Sequence, residues 1–376
     1  MENNLKFKDG KFTILSLGDL HEKMFIQSHD DRKRTEDMHN LIEMGIKAFK
    51  PDLIVLLGDT CCEHDDSEGF ADYKRGLTRI LKPILQSKIP FAYVLGNHEH
   101  DTHQEQLIAE AFSEYETCLA YNDKDSVDDL SYNLLVKSSD GKEDILNLWF
   151  IDSNNLVENS SPVQYDYVHE DQIEWYEKKA RQIKDEHNGK TIPAILFQHI
   201  PVCEEYDLLR EAKPCELPIA VKGHNTRSNK FYVKKDGVEG YLGEGPCAPD
   251  QNHGQFSSWK KVGDVKAAFF GHDHLNDFTG VTDGIMLGQN KTSGFRAYTD
   301  GCKCLVRTIT VKEENPEIIE SKVHHFKELG LECHCLGPIE SRISDRQSIG
   351  MHHASYAAGA LLGVAGIASF IKKIKK

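Results

Sequence analysis

Short, largely apolar runs punctuate the chain, and five of them stop at a polar cluster with ligand chemistry. The run 14–17 leads into Gly18-Asp19-Leu20-His21, 53–57 into Gly58-Asp59, and 91–95 into Gly96-Asn97-His98-Glu99. The run 194–197 leads into Gln198-His199, and 267–270 into Gly271-His272-Asp273-His274. Runs of this length and composition suit strands buried on both faces. Between them the period changes. Met38, Leu41, Ile42 and Ile46 fall on one face of a helix expected over 35–49, after a polar loop at 29–34. Further helices are expected over 73–86, broken by Pro83, over 103–115, and over 171–187 with Ile173, Tyr176, Ala180 and Ile183 inward. A hairpin is expected around Asp140-Gly141. Strand, helix and strand in succession predict an α/β fold with at least a partly parallel sheet.

The other stretches are less regular. Residues 7–10 read as an edge strand and turn, and 61–67 as an acidic loop over the site. Residues 201–256 form a long irregular stretch, of a length that is usually functional inside a compact domain. Short strands are expected at 285–287, 295–298, 305–311 and 318–326, completing a second sheet. Residues 332–353 read as a polar linker, and 354–371 carry no charge before the basic end at 372–376. That apolar length predicts a membrane-spanning tail anchor, with the catalytic domain facing the cytoplasm. Gly359 and Gly363 offer a small-residue face for self-association. A helix lying on the membrane surface, a helix packed on the domain and a disordered tail are the alternatives.

In open α/β sheets, ligands bind beyond the carboxyl ends of the strands. Five such ends would bring Asp19, His21, Asp59, Asn97, His98, His199, His272 and His274 to one crevice. One histidine alone would more often be structural; a complete set at successive strand ends points to metal. Carboxylate, imidazole and amide donors suit Mn, Fe or Zn, without choosing among them.

The order D-x-H, GD, GNHE, H and GHDH resembles the signature of the calcineurin-like metallophosphoesterases. The stretches Leu146-Asn147-Leu148-Trp149-Phe150-Ile151-Asp152-Ser153 and Gly271-His272-Asp273-His274-Leu275-Asn276-Asp277-Phe278 resemble the purple acid phosphatase-related, Dcr2-like branch. The resemblance covers roughly residues 5–330, which are read as the catalytic domain. It implies a four-layer α/β/β/α sandwich of two mixed sheets, with two divalent or trivalent cations at one edge. It also implies ligand roles: Asp19, His21 and His274 for one cation, Asn97, His199 and His272 for the other, and Asp59 between them. His98 would be the catalytic group that is not a ligand, and a hydroxide bridging the metals would attack phosphorus. Asp273 is read as a residue behind the ligands, and Glu99 and Asp101 as orienting His98. Two positions depart from the purple enzymes: Cys62 stands where they carry a tyrosine ligand, and His21 where they lack a histidine. Both argue against a tyrosinate-to-iron colour.

The implied reaction is phosphomonoester hydrolysis, with phosphoproteins among the candidate substrates. A phosphodiesterase of cyclic nucleotides or lipid headgroups and a catalytically silent, membrane-tethered binding protein are the competing readings. Arg227, Lys230, Asn252 and His253 are the groups chosen as substrate contacts, though each one singly reads equally well as merely solvated. The net charge of −15 argues against a nucleic-acid partner. It leaves attraction of an anionic substrate to the metals and local cations. Ten cysteines without an apolar leader predict reduced thiols. The pairs Cys302/Cys304 and Cys333/Cys335 offer a thiolate metal site, but their spacing is not that of a zinc ribbon, and buried or surface thiols account for them adequately.

Overall fold

The computed structural model describes residues 4–63, 70–128, 130–161, 163–338 and 340–342. Two sheets form its centre. In the first, Lys11–Leu17, Leu53–Leu56 and Phe91–Tyr93 run parallel. Leu305–Lys312 pairs antiparallel with the free side of Lys11–Leu17, from Lys11 opposite Lys312 to Ser16 opposite Arg307, and Asn315–His325 forms the edge. In the second sheet Asp144–Phe150, Ala194–Gln198, Val265–Phe270 and Ile285–Gln289 are parallel, flanked by antiparallel Tyr132–Lys137 and Thr279–Thr282. The strand ends carrying the polar clusters therefore come from both sheets.

Alternation along the second sheet separates two cores. Leu148, Phe150, Ile195, Phe197, Ala267 and Phe269 point to the first sheet. Trp149, Ile151, Leu196, Ala268 and Phe270 point instead to Trp175, Tyr176, Phe256 and Trp259 on the helices Glu170–Glu186 and Gln255–Val262. Helices His29–Phe49, Phe70–Ile80, Lys82–Ser87 and Glu105–Ser113 join the first core through Met38, Leu41, Leu77, Ile84 and Phe112. The result is the expected α/β/β/α sandwich.

The first helix begins six residues before the expected start because Ser28 caps it: its hydroxyl accepts from Asp31 N at 3.0 Å, and Asp31 Oδ2 accepts from Ser28 N at 3.0 Å. Pro83 divides the second helical stretch as expected, and sits in the first turn of Lys82–Ser87. Three expectations fail. Residues 295–298 form no strand. Leu305–Lys312 and Asn315–His325 belong to the first sheet, since a chain returning beside Lys11–Leu17 covers its open edge. Part of 201–256 is ordered as a small sheet of Leu209–Glu211, Val221–Lys222 and Phe231–Lys234. Leu331, Cys333, Cys335 and Leu336 pack on the core.

The membrane anchor and the cytoplasm-facing arrangement built on it are corrected. No helix among the described residues is long and apolar enough to cross a membrane. The longest, His29–Phe49, carries Asp30, Arg32, Lys33 and Glu43 along its length. The stretch 354–371, with Gly359 and Gly363, lies outside the described residues, as do 64–69 of the expected loop.

Two cations, Arg307 fully buried and His100 partly so, tie the sheets together. Arg307, on the first sheet, donates to Gln289 O at 2.6 Å and Asp277 O at 3.0 Å on the second-sheet side. It also donates to Asn290 Oδ1 at 3.1 Å and Thr279 Oγ1 at 3.0 Å. Burial lowers its pKa to about 10, so it stays charged at neutral pH. At the opposite side His100 stands 2.8 Å from Asp152 Oδ1 and 3.2 Å from Glu105 Oε1. Burial opposes its charging, but the two carboxylates raise its pKa to about 9. A raised imidazole contributes stability below the unfolded value near 6.5 and loses it as pH rises through about 9. Comparing wild type with His100→Gln by denaturant unfolding should give a difference on the order of 3 kcal/mol near pH 6. That difference should shrink above about pH 9. A difference independent of pH would mean that His100 is not held protonated.

Candidate metal centre

Four of the seven expected ligands sit on unusual backbone. Asp19, His21, Asp59 and His272 have φ of 47, 44, 47 and 74°, left-handed values that side chains seldom adopt. Such conformations cost on the order of 1–3 kcal/mol each and persist where the surroundings enforce them. Two glycines make room for the turn. Gly58 has φ +83°, and a Cβ there would come within 2.7 Å of Gly96 Cα. A Cβ on Gly96 would in turn strike the Asp59 carboxylate and backbone N.

The side chains converge in two groups of three. Asp19, His21 and His274 place one donor atom each within 4.8 Å of the others, and so do Asp59, His199 and His272; all six are buried. His21 joins the groups, with Nε2 at 3.0 Å from His274 Nε2 and 3.4 Å from Asp59 Oδ2. His199 Nε2 lies 3.2 Å from Asp59 Oδ2 and 3.1 Å from Asn97 Oδ1. The rings are fixed from behind: His199 Nδ1 is 2.6 Å from Leu57 O, and His274 Nδ1 is 3.1 Å from Tyr298 O. Such backing orients imidazoles toward a cation. His272 Nε2 is buried with no hydrogen-bond partner among the described residues. A buried ring nitrogen of this kind is costly unless something accepts its lone pair.

Protonation follows the same geometry. Burial lowers His21 to about 4 and His274 to about 3, and pushes His272 well down. All three are neutral near pH 7, the form that ligates metal. Burial works against charge on His199 too, but Asp59 and then Asp19 raise it to about 10. Burial raises Asp19 well above the usual carboxylate range, with Asp59 adding to it. Asp59 goes the other way: burial is outweighed by His199 and His21, which hold it well below that range. A bound cation would balance the same carboxylates and free His199 to ligate. Buried oxygen and nitrogen donors in two triads, one with an unsatisfied imidazole, fit two cations.

The remaining predicted residues fall in distinct places. His98 is half-exposed. Its backbone N donates to Asp59 Oδ1 at 2.9 Å, its Nδ1 lies 2.8 Å from Asp101 Oδ2, and it clusters with His21 and Asp59. Asn155 Nδ2 holds Asp101 in turn at 2.9 Å. Glu99 faces the other way, accepting from Asp59 N at 2.8 Å, Thr60 N at 2.7 Å and Gly96 N at 2.8 Å. It shapes the two turns, while Asp101 meets the His98 ring at Nδ1. Asp273 is buried behind the ligands. It accepts from Asn276 Nδ2 at 2.8 Å, Cys247 N at 3.0 Å and Gln289 Nε2 at 3.1 Å, and burial raises it to about 6.

Each of the four groups chosen as substrate contacts is engaged by a partner of its own. Arg227 lies over the Tyr206 ring and 3.8 Å from Asp250. Lys230 pairs with Glu211, Asn252 donates to Glu204 at 2.6 Å, and His253 stacks on Tyr167 at 3.4 Å. Two aromatic residues that the sequence did not single out flank the ligands. Tyr165 meets His272 edge-on at 4.2 Å, and Tyr298 stacks on His274 at 4.2 Å. Tyr298 lay within a stretch misread as a strand; Tyr165 carried no signal.

Gly96→Ala should displace Asp59 and lower metal content with little change elsewhere, since the clash is confined to the two turns. Asp59→Asn should lose metal as well. Both are read by metal analysis of purified protein, and full occupancy in either variant would refute this account of the centre.

The chain is similar to several known proteins. The chain is 27% identical over 314 residues to "Probable inactive purple acid phosphatase 29" of Arabidopsis thaliana, covering 77% of this chain and 74% of that protein. It is 26% identical over 293 residues to "Phosphatase DCR2" of Saccharomyces cerevisiae, covering 72% of this chain and 45% of that protein. Among solved structures, a dimetal phosphatase from Danio rerio superposes with a TM-score of 0.48 at 12% identity, covering 84% of this chain and 99% of that one. The family model for calcineurin-like phosphoesterases matches residues 12–276, and the chain belongs to that family.

Proposed function

We propose that the chain hydrolyses phosphomonoesters through a dinuclear metal centre built within residues 5–330. The observation that carries this reading is the pairing of two buried ligand triads through His21 and Asp59. Asp19, His21 and His274 would hold one cation, and Asn97, His199 and His272 the other, with Asp59 shared. Asp101 would then hold the His98 ring in place. When bound, such cations polarise a phosphoryl group and acidify the attacking water.

The chain's own residues supply the rest. Asp59 draws His21 and His199 together. Left-handed backbone at Asp19, Asp59 and His272 aims their side chains inward. His98 stands at the exposed side of the cluster with Nδ1 engaged by Asp101, leaving Nε2 as the atom to give a proton to the leaving oxygen. Tyr165 and Tyr298 cover ligand rings and limit water around them.

A phosphatase name on the yeast relative supports monoesters, and phosphoproteins remain candidates. Diester hydrolysis is the second reading. His224 stacks on Tyr165 at 5.4 Å, beside His272, and offers a neutral wall for a second ester arm. The plant relative is named inactive, yet all seven ligand positions and His98 are filled here.

The test compares p-nitrophenyl phosphate with bis-p-nitrophenyl phosphate on protein loaded in turn with Mn, Zn and Fe. Preference for the monoester is expected; preference for the diester would replace the reading, and no turnover with two cations bound would favour a silent binding protein. His98→Ala should keep its metals and lose about 10²–10⁴ in turnover, the usual reach of a positioned acid. Undiminished turnover would remove His98 from the reaction.

A further inference from the structure

The two C-x-C pairs lie far apart in sequence, yet three of their four cysteines meet on the side of the long helix. Cys333 and Cys335 belong to the segment that follows the last strand and packs against the core. Their sulfurs are 3.8 Å apart. Asp37, from the helix His29–Phe49, completes a triad with donor atoms all within 4.8 Å of one another. The Cys302 thiol, from the turn Gly301–Lys303, faces Cys333.

The spacing of the donor atoms is one that a tetrahedral cation accepts. Two sulfurs each about 2.3 Å from a tetrahedral zinc stand roughly 3.8 Å apart. The segment is also held for the purpose: Asp37 Oδ2 accepts from His334 N at 2.8 Å and Cys335 N at 2.9 Å. The Asp37 side chain is 0% exposed, and its one ion-pair partner among the described residues is His334, at 3.2 Å. These donors fix the Asp37 carboxylate beside the two thiols. Fourth, Cys304 is turned away, its thiol donating to Gly294 O at 2.9 Å.

We propose that Asp37, Cys302, Cys333 and Cys335 bind one thiophilic divalent cation, of the zinc class, separate from the centre at the strand ends. Each thiol releases its proton to solvent as its sulfur–metal bond forms. The cation pins the segment 331–336 to the long helix and to the turn at 301–303. That turn follows Tyr298, whose carbonyl backs His274, so the site also steadies one wall of the catalytic crevice.

The test uses the full chain, stripped with chelator and titrated with Co²⁺. One equivalent should give intense thiolate-to-cobalt charge-transfer absorption, which the oxygen- and nitrogen-lined centre cannot produce. Cys333→Ser with Cys335→Ser should abolish that band and leave the p-nitrophenyl phosphate assay measurable. The wild-type chain gives a second readout that needs no variant. Zn²⁺ should suppress iodoacetamide labelling of Cys302, Cys333 and Cys335, because a metal-bound sulfur is no longer a free thiolate nucleophile. Exposed Cys215 should label equally with and without zinc. Cobalt bound without a thiolate band, or labelling indifferent to zinc, would each overturn the proposal.

Discussion

Everything at the strand ends turns on keeping the carboxylate of Asp59 charged in a buried place. A lone buried carboxylate is expensive. This one is met from both sheets: His199 at 3.2 Å from the second, His21 at 3.4 Å from the first, and the backbone N of His98 at 2.9 Å. Glu99 fixes the Asp59 backbone from below. The two sheets are therefore joined at this point by electrostatics as well as by the apolar core between them. Arg307 and His100 repeat the device further out, each carrying charge from one sheet to partners on the other. The centre is thus a seam, and its chemistry and its mechanical role are hard to separate.

Much of this was legible in the sequence because strand ends and ligands share one alphabet. A buried parallel strand reads as an unbroken apolar run, and the turn after it reads as glycine followed by a donor. Asp19, Asp59, Asn97 and His272 are read that way, His199 follows an apolar run through Gln198 instead, and the order of the clusters carries the resemblance to a family. Helix periodicity located the helix around Met38 and Leu41, but missed its first turns, because Ser28 and Asp31 act through a cap rather than through apolar spacing.

What was not legible depends on partners distant in sequence. No local pattern says that Leu305–Lys312 lies beside Lys11–Leu17 rather than in the other sheet. Nothing near Glu99 says that its carboxylate holds the turns at Asp59 and Gly96 instead of His98. Tyr165 and Tyr298 reach the ligands only through tertiary packing. The substrate contacts were chosen as cations and amides in a long loop, yet Arg227 and Lys230 are occupied by acidic partners. The apolar tail shows the converse limit: length and lack of charge suggested a membrane, and no described helix supports one.

The pairing of Lys11–Leu17 with Leu305–Lys312 bears on how the chain is made. Translation yields the three parallel strands of the first sheet early, with one flank of Lys11–Leu17 bare until residue 312 has left the ribosome. An uncovered strand edge recruits other chains, and contacts of such long separation form slowly. That edge stays open to pairing through most of the chain's synthesis. A permuted gene that placed 305–325 ahead of residue 11 would shorten that exposure, and should raise the yield of native enzyme without altering a single ligand.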